Sequence, residues 1–369
     1  MCGPGSNHGS GAHHHEHGHI LVPEAYLTRR NFVRAGAVGI GAVLLAACGR
    51  TPDPLESSLS TSGGGAGTTV APGSQVSTTS TAVPDVTAVP TTVPKTGLSG
   101  FDEFASTVSV TRDGKWWLVE SNGLPAHNMM VGITSWQQQV PVSQPYTGSN
   151  AWRIPVEPEI AGSPVSARTA LYRGAIALAA NGVPIFNALN NRGDDAFLYG
   201  ELDKWGGHAG RADDYHYHIA PLHLAEKLGV DTPIAYALDG FPIYGEKEPD
   251  GSAVRKLDEY NGHFDAAGNY HYHGTRTYPY INGGLRGVIT VSGDQVEPQP
   301  RTNPFRPSLE PLAGATITSF SSPSTGSYVL GYSSPSGAGE VAYTVTATEV
   351  RFTFTKPDGS VTRETYARR

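Results

Sequence analysis

Twice along this chain two short apolar runs meet at a step that favours a tight turn. Residues 174–180 (Gly-Ala-Ile-Ala-Leu-Ala-Ala) run into Asn181-Gly182 and continue as Val183-Pro184-Ile185-Phe186. Residues 233–238 run into Asp239-Gly240 and continue as Phe241-Pro242-Ile243-Tyr244. Asn-Gly or Asp-Gly between apolar runs predicts a β-hairpin, with a type I′ turn that needs positive φ at both central residues. Pro184 and Pro242 lack a ladder donor, so each second arm is expected at a sheet edge or at a strand start. Residues 107–120, with Val108, Val110 and Trp116 to Val119 around Asp113-Gly114, predict strand, turn, strand. Residues 221–228 before Gly229 predict a short helix. Past residue 300, alternation in 340–345 and 349–355 predicts a small C-terminal β-meander, either its own module or extra strands.

Composition divides the chain further. Hydrophobic residues make up 38% and charged residues 16%, with 45 Gly and 28 Pro, which fits a loop-rich β protein with low-complexity segments. Residues 49–96 are rich in Ser, Thr, Pro, Gly and Val and bury too little apolar surface to offset ordering, so a flexible linker is expected there. The ordered domain is expected over 97–300 and the C-terminal β segment over 301–369. A net charge of −7 with no basic block argues against a nucleic-acid partner. The two cysteines, Cys2 and Cys48, leave the body of the chain without a disulfide or a thiolate metal site.

Residues 1–48 read as an address. Arg29 and Arg30 precede an aromatic residue and an apolar run from Ala35 to Ala47, as in a twin-arginine export signal. The run is too short to span a bilayer and ends Leu45-Ala46-Ala47-Cys48, which resembles a lipobox with Cys48 as the lipid attachment. The expected location is the outer face of the cytoplasmic membrane or the cell envelope, held by the lipid. The tract His13-His14-His15-Glu16-His17-Gly18-His19 precedes this signal and would be removed with it.

The chemistry lies in a repeat. Leu202-Asp203, Gly207-His208 and Tyr215-His216-Tyr217-His218 return as Leu257-Asp258, Gly262-His263 and Tyr270-His271-Tyr272-His273, each histidine 55 positions later. The hairpins return 58 positions later, so hairpin, Asp, Gly-His and Tyr-His-Tyr-His form a repeated unit. In a strand, residues i and i+2 share a face, so His216 and His218 present two imidazoles to one side, as do His271 and His273. His208 and His263 are each placed to return as a third ligand. Of 14 histidines seven lie between 208 and 273, a concentration that favours metal ligation over scattered packing roles. The other reading is an aromatic core with hydrogen-bonded imidazoles. Asp203 and Asp258 either orient imidazoles from behind or organise the turn before Gly-His. Asp213 and Asp214 read as solvated loop, and His223 as a non-ligand. The tyrosines read as packing residues.

These motifs resemble the YHYH domain family. The resemblance takes in Ser121 to His127, Trp152-Arg153-Ile154-Pro155, both hairpins and both Gly-His elements, over residues 107–292. It implies that His127, in an Asn-Gly-x-Pro-x-His element, belongs with the histidine set. Family members often carry Cys three positions before the Gly-His histidine, where this chain has Trp205 and Tyr260. The expected fold is mainly β, with two repeated units making one shared site or two. Nitrogen ligands without thiolate favour zinc or copper, then iron. Three functions follow: binding or handling of a transition metal, a metal-dependent hydrolase or oxidoreductase on an unknown small molecule, or a structural or adhesive surface module.

Overall fold

The computed structural model describes residues 98–368; the expected export signal, Cys48 and the expected linker lie outside them. Among the described residues a 3-10 turn (Phe101–Phe104) precedes β1 (Val108–Asp113) and β2 (Trp116–Ser121), which pair antiparallel across Gly114, and β3 (Trp152–Pro155) adds to β2. After β4 (Ile160–Ser166) come the two hairpins. The first joins β5 (Ala175–Ala179) to β6 (Pro184–Phe186) and is followed by β7 (Gly207–Ala209) and β8 (Tyr215–Tyr217). Helix α1 (Leu224–Leu228) separates it from the second, β9 (Ala235–Ala237) and β10 (Pro242–Tyr244), followed by β11 (Gly262–Phe264) and β12 (Tyr270–His273). Strand β13 (Gly284–Gly287) pairs with β4, and β14 (Thr290–Ser292) pairs with β15 (Gln295–Glu297). The chain is mainly β, as its sequence predicts.

The eight strands of the hairpin region form one sheet in the order β11-β12-β10-β9-β5-β6-β8-β7. Read outward from its centre, each half runs hairpin arm, second arm, parallel Tyr-His strand, antiparallel Gly-His strand. The halves meet at β5 and β9, where Leu178 faces Tyr236. Every residue of β5 and β9 is buried, which explains their unbroken apolar runs. Pro184 and Pro242 each open an interior strand, so the strand-start expectation holds and the edge expectation does not.

The turns differ from the type I′ expectation. Gly182 and Gly240 have positive φ, but Asn181 and Asp239 do not. The Gly182 N–H bonds the Ala179 carbonyl and the Ala179 N–H bonds Val183, which makes a three-residue loop with the glycine at its bulge. This frees the Asn181 and Asp239 side chains to point inward at Tyr217 and Tyr272. A Cβ at Gly182 would lie 2.6 Å from Ser121 Cβ and 2.8 Å from Val108 Cγ2, whereas Gly114, also at positive φ, has open space. Gly182→Ala therefore incurs backbone strain of roughly 1–2 kcal/mol plus a clash, and Gly114→Ala the strain alone. The urea midpoint of Gly182→Ala is expected to fall well below that of Gly114→Ala.

The C-terminal residues form a five-stranded antiparallel meander, β16 (Thr316–Ser324), β17 (Ser327–Ser334), β18 (Gly337–Val345), β19 (Glu349–Thr355) and β20 (Val361–Ala367). It docks on the loop between β2 and β3. The Gly132 N–H bonds the Ile317 carbonyl and the Ile317 N–H bonds the Ile133 carbonyl, Tyr343 donates to the Pro141 carbonyl at 2.6 Å, and Trp136 packs on Tyr332. Val93–Arg369 forms a compact unit with its own buried core.

Candidate metal centre

The first histidine group is built by a ladder. His208 on β7 pairs directly with His216 on β8, which places both imidazoles on one face. His218 follows two residues on, just past the strand, on the same side. The three Nε2 atoms form a near-equilateral triangle: 3.2 Å between His208 and His216, 3.1 Å between His208 and His218, 3.1 Å between His216 and His218. Ligand nitrogens about 2.0–2.1 Å from a tetrahedral metal would be separated by about 3.3–3.4 Å, and by about 2.8–3.0 Å around an octahedral one. The observed spacing falls between the two.

The opposite ring nitrogens fix the tautomer. His216 Nδ1 meets the Asp214 carbonyl at 3.0 Å, His218 Nδ1 meets the Asn187 carbonyl at 2.5 Å, and His208 bonds the Glu201 backbone. A carbonyl only accepts, so Nδ1 carries the proton and Nε2 presents a bare lone pair. Burial, then the neighbouring imidazoles, push His208 and His216 well below the usual histidine value, and burial brings His218 down to about 4. Three neutral imidazoles thus aim lone pairs at one point, an arrangement that repels itself unless a cation sits there.

The second group repeats the ladder, with His263 paired to His271 and His273 two residues on. His263 and His273 Nε2 lie 3.2 Å apart, and His273 Nδ1 bonds the Gly245 carbonyl at 2.8 Å. Here a carboxylate joins. Glu248 Oε1 lies 3.2 Å from His263 Nε2, and Oε2 lies 3.3 Å from His271 Nε2 and 3.8 Å from His273 Nε2. Burial raises the Glu248 carboxyl, but the Arg255 N–H and the imidazoles outweigh it and leave it below its ordinary value. The described residues therefore hold two clusters able to take a metal ion, one of three histidines and one of three histidines and a glutamate. They lie at opposite ends of the sheet order, so the six histidines make two groups rather than one shared site.

Residues 151–256 match the family described as YHYH protein. This stretch is similar to a YHYH domain. The matched span holds β3, both hairpins, the first histidine group and Glu248, and stops before His263. No curated protein and no solved structure matches the chain.

Several residues stand elsewhere than the sequence suggested. His127 joins neither group: it stacks on Trp205 at 4.7 Å, touches His223 edge-on and bonds the Tyr217 hydroxyl at 2.8 Å. Asp203 and Asp258 do not orient imidazoles. Asp203 accepts the Trp205 and Gly207 N–H groups and the Tyr215 hydroxyl, and Asp258 accepts the matching Tyr260, Gly262 and Tyr270 donors. They close the turn and anchor the tyrosine, while backbone carbonyls hold the imidazoles. Asp213 and Asp214 are buried, not solvated, at 1% and 5% exposure. Asp213 is clasped by Arg306 at 2.6 and 2.7 Å, and burial raises the Asp214 carboxyl to about 7. His223 lies outside both groups, beside His127.

Sequence reasoning missed Glu248. It lies 58 positions beyond Asn190, the hairpin offset, and the two loops share their bonding. Asn190 N–H bonds Asp194 and Glu248 N–H bonds Ser252, and the Gly193 and Gly251 N–H groups bond back to Asn190 and Glu248. The offset could have aligned the two positions, but Asn at one and Glu at the other hides the correspondence.

Proposed function

We propose that this YHYH protein is exported, tethered by a lipid on Cys48 to the outer face of the cytoplasmic membrane, and binds transition-metal ions at two histidine centres in metal binding or handling. The observation that carries the metal reading is the triangle of unprotonated Nε2 atoms, for which no proton or carboxylate is supplied. Neutral nitrogen ligands at this spacing suit zinc or copper better than iron. The two matching halves of the sheet support a duplication of one metal-binding unit. The twin-arginine pair Arg29-Arg30 and the lipobox carry the export reading. A metal-dependent enzyme is the second reading, favoured by one observation: the first group lines a cavity of about 660 Å³.

Metal that binds the folded chain at a thousand times its dissociation constant stabilises it by about 4 kcal/mol. Melting of the tag-free unit, residues 93–369, is thus expected to rise by many degrees with zinc or copper and fall with a chelator. No shift with zinc, copper or iron would refute the metal reading. In cells, Arg29→Lys with Arg30→Lys should leave the protein in the cytoplasm, and Cys48→Ser should release it from the membrane fraction. Unchanged fractionation of both variants would refute the address.

A further inference from the structure

The two histidine groups differ at one position, and the difference decides what each can do. In the second group Glu248 supplies an oxygen beside the three nitrogens. In the first, the matching Asn190 turns away: its amide Nδ2 donates to Glu201 Oε1 at 3.0 Å. Glu201 is held in turn by Arg192 and is not among the ligand atoms of the group. A metal bound by His208, His216 and His218 would therefore have three protein ligands, the number found where a coordination position is kept for an exogenous molecule.

The surroundings say what that molecule is. The cavity onto which the three histidines open is lined by Arg173, Arg192, Arg211 and Arg301 against the carboxylates Glu201 and Asp214. Arg192 shares the cavity wall with His208 and is anchored there by Glu201 and Asp194. Among the described residues neither Arg173 nor Arg211 has an ion-pair partner. A divalent ion would add two positive charges, and guanidinium forks match planar or tetrahedral oxyanions. Resting on the metal reading above, we propose that the first centre is an open site that takes a small oxyanion, a phosphate or a carboxylate, on its metal, with Arg192 and Arg211 beside it. Glu248 closes the second centre, which holds its ion for the fold.

Cobalt(II) separates the claims, because its visible bands report coordination. The unit 93–369 would be loaded with Co²⁺ in two forms: His271→Ala/His273→Ala, which keeps the first centre, and His216→Ala/His218→Ala, which keeps the second. Each would be titrated with inorganic phosphate and with acetate. The first-centre protein should change its bands saturably with at least one anion, and the arm that responds names the class. The second-centre protein should not respond. Asn190→Glu in the first-centre protein should keep the bound cobalt and abolish the response, and Arg211→Ala should weaken anion binding several-fold at unchanged cobalt content. Bound cobalt that answers neither anion, or an equal response at both centres, would overturn the inference and leave the metal reading standing. Absence of bound cobalt, zinc or copper from both folded forms would overturn both.

Discussion

Replacing His216 and His218 together by alanine will remove one transition-metal ion per chain, and replacing His271 and His273 will remove a second. The tag-free unit should hold two ions, each double variant one, and the quadruple variant none, by elemental analysis after exhaustive dialysis. Each pair contributes two of the three imidazoles of its group. The one histidine left at the first centre, and His263 with Glu248 left at the second, cannot approach the affinity of the full group; structural zinc sites of four ligands reach about 10–16 kcal/mol. His208→Ala at the first centre, and His263→Ala together with Glu248→Ala at the second, give the same answer should a double variant fail to fold. The centres should also differ when stripped. In the second, Glu248 can accept from His263 and His271, so the group stays paired without an ion. In the first, three lone pairs are left facing one another. Chelation should therefore raise hydrogen exchange around Tyr215–Tyr217 before Tyr270–His273.

Arg306→Ala will destabilise the protein by about 3–5 kcal/mol, far more than removal of any exposed arginine. Arg306 is 8% exposed and Asp213 is 1% exposed, and the guanidinium also donates to the Gln138 carbonyl at 2.9 Å and lies 4.8 Å over Phe352. Truncation leaves the Asp213 carboxylate buried with only the Val140 N–H as donor. Arg351, paired with Glu349 on the surface, is the control: Arg351→Ala should change stability by about 0–1 kcal/mol. The denaturant midpoint reads both. Because Asp213 precedes the residue whose carbonyl holds His216, Arg306→Ala should also weaken metal binding at the first centre and spare the second. A stable Arg306→Ala protein with unchanged metal affinity would remove the Arg306–Asp213 pair from any part in the site.

Much of this was legible in the sequence because the motif is local. His-x-His on a strand gives two ligands by periodicity alone, and the Gly-His segment returns the third because it is the next strand of the same ladder. The hairpins were legible for the same reason, although their turn type was not: Asn181 and Asp239 are fixed by distant tyrosines rather than by turn preference. What escaped was set by tertiary contact. Asp213 looks like loop until Arg306, 93 residues away, is brought against it. Glu248 sits in a turn sequence that reads as solvent-facing. His127 belonged with the histidines by motif, yet the fold gives it to Trp205 and Tyr217.

The central claim is that His208, His216 and His218 share one metal ion. X-ray absorption at the metal edge, on the His271→Ala/His273→Ala protein loaded with one equivalent of zinc or copper, tests it most directly. The account predicts three imidazole nitrogens at about 2.0–2.1 Å, with a further light ligand that is not a protein carboxylate. A metal bound by one imidazole or none, or a folded protein that retains no metal, would contradict it, and the Tyr-His-Tyr-His strand would then be an aromatic and imidazole core.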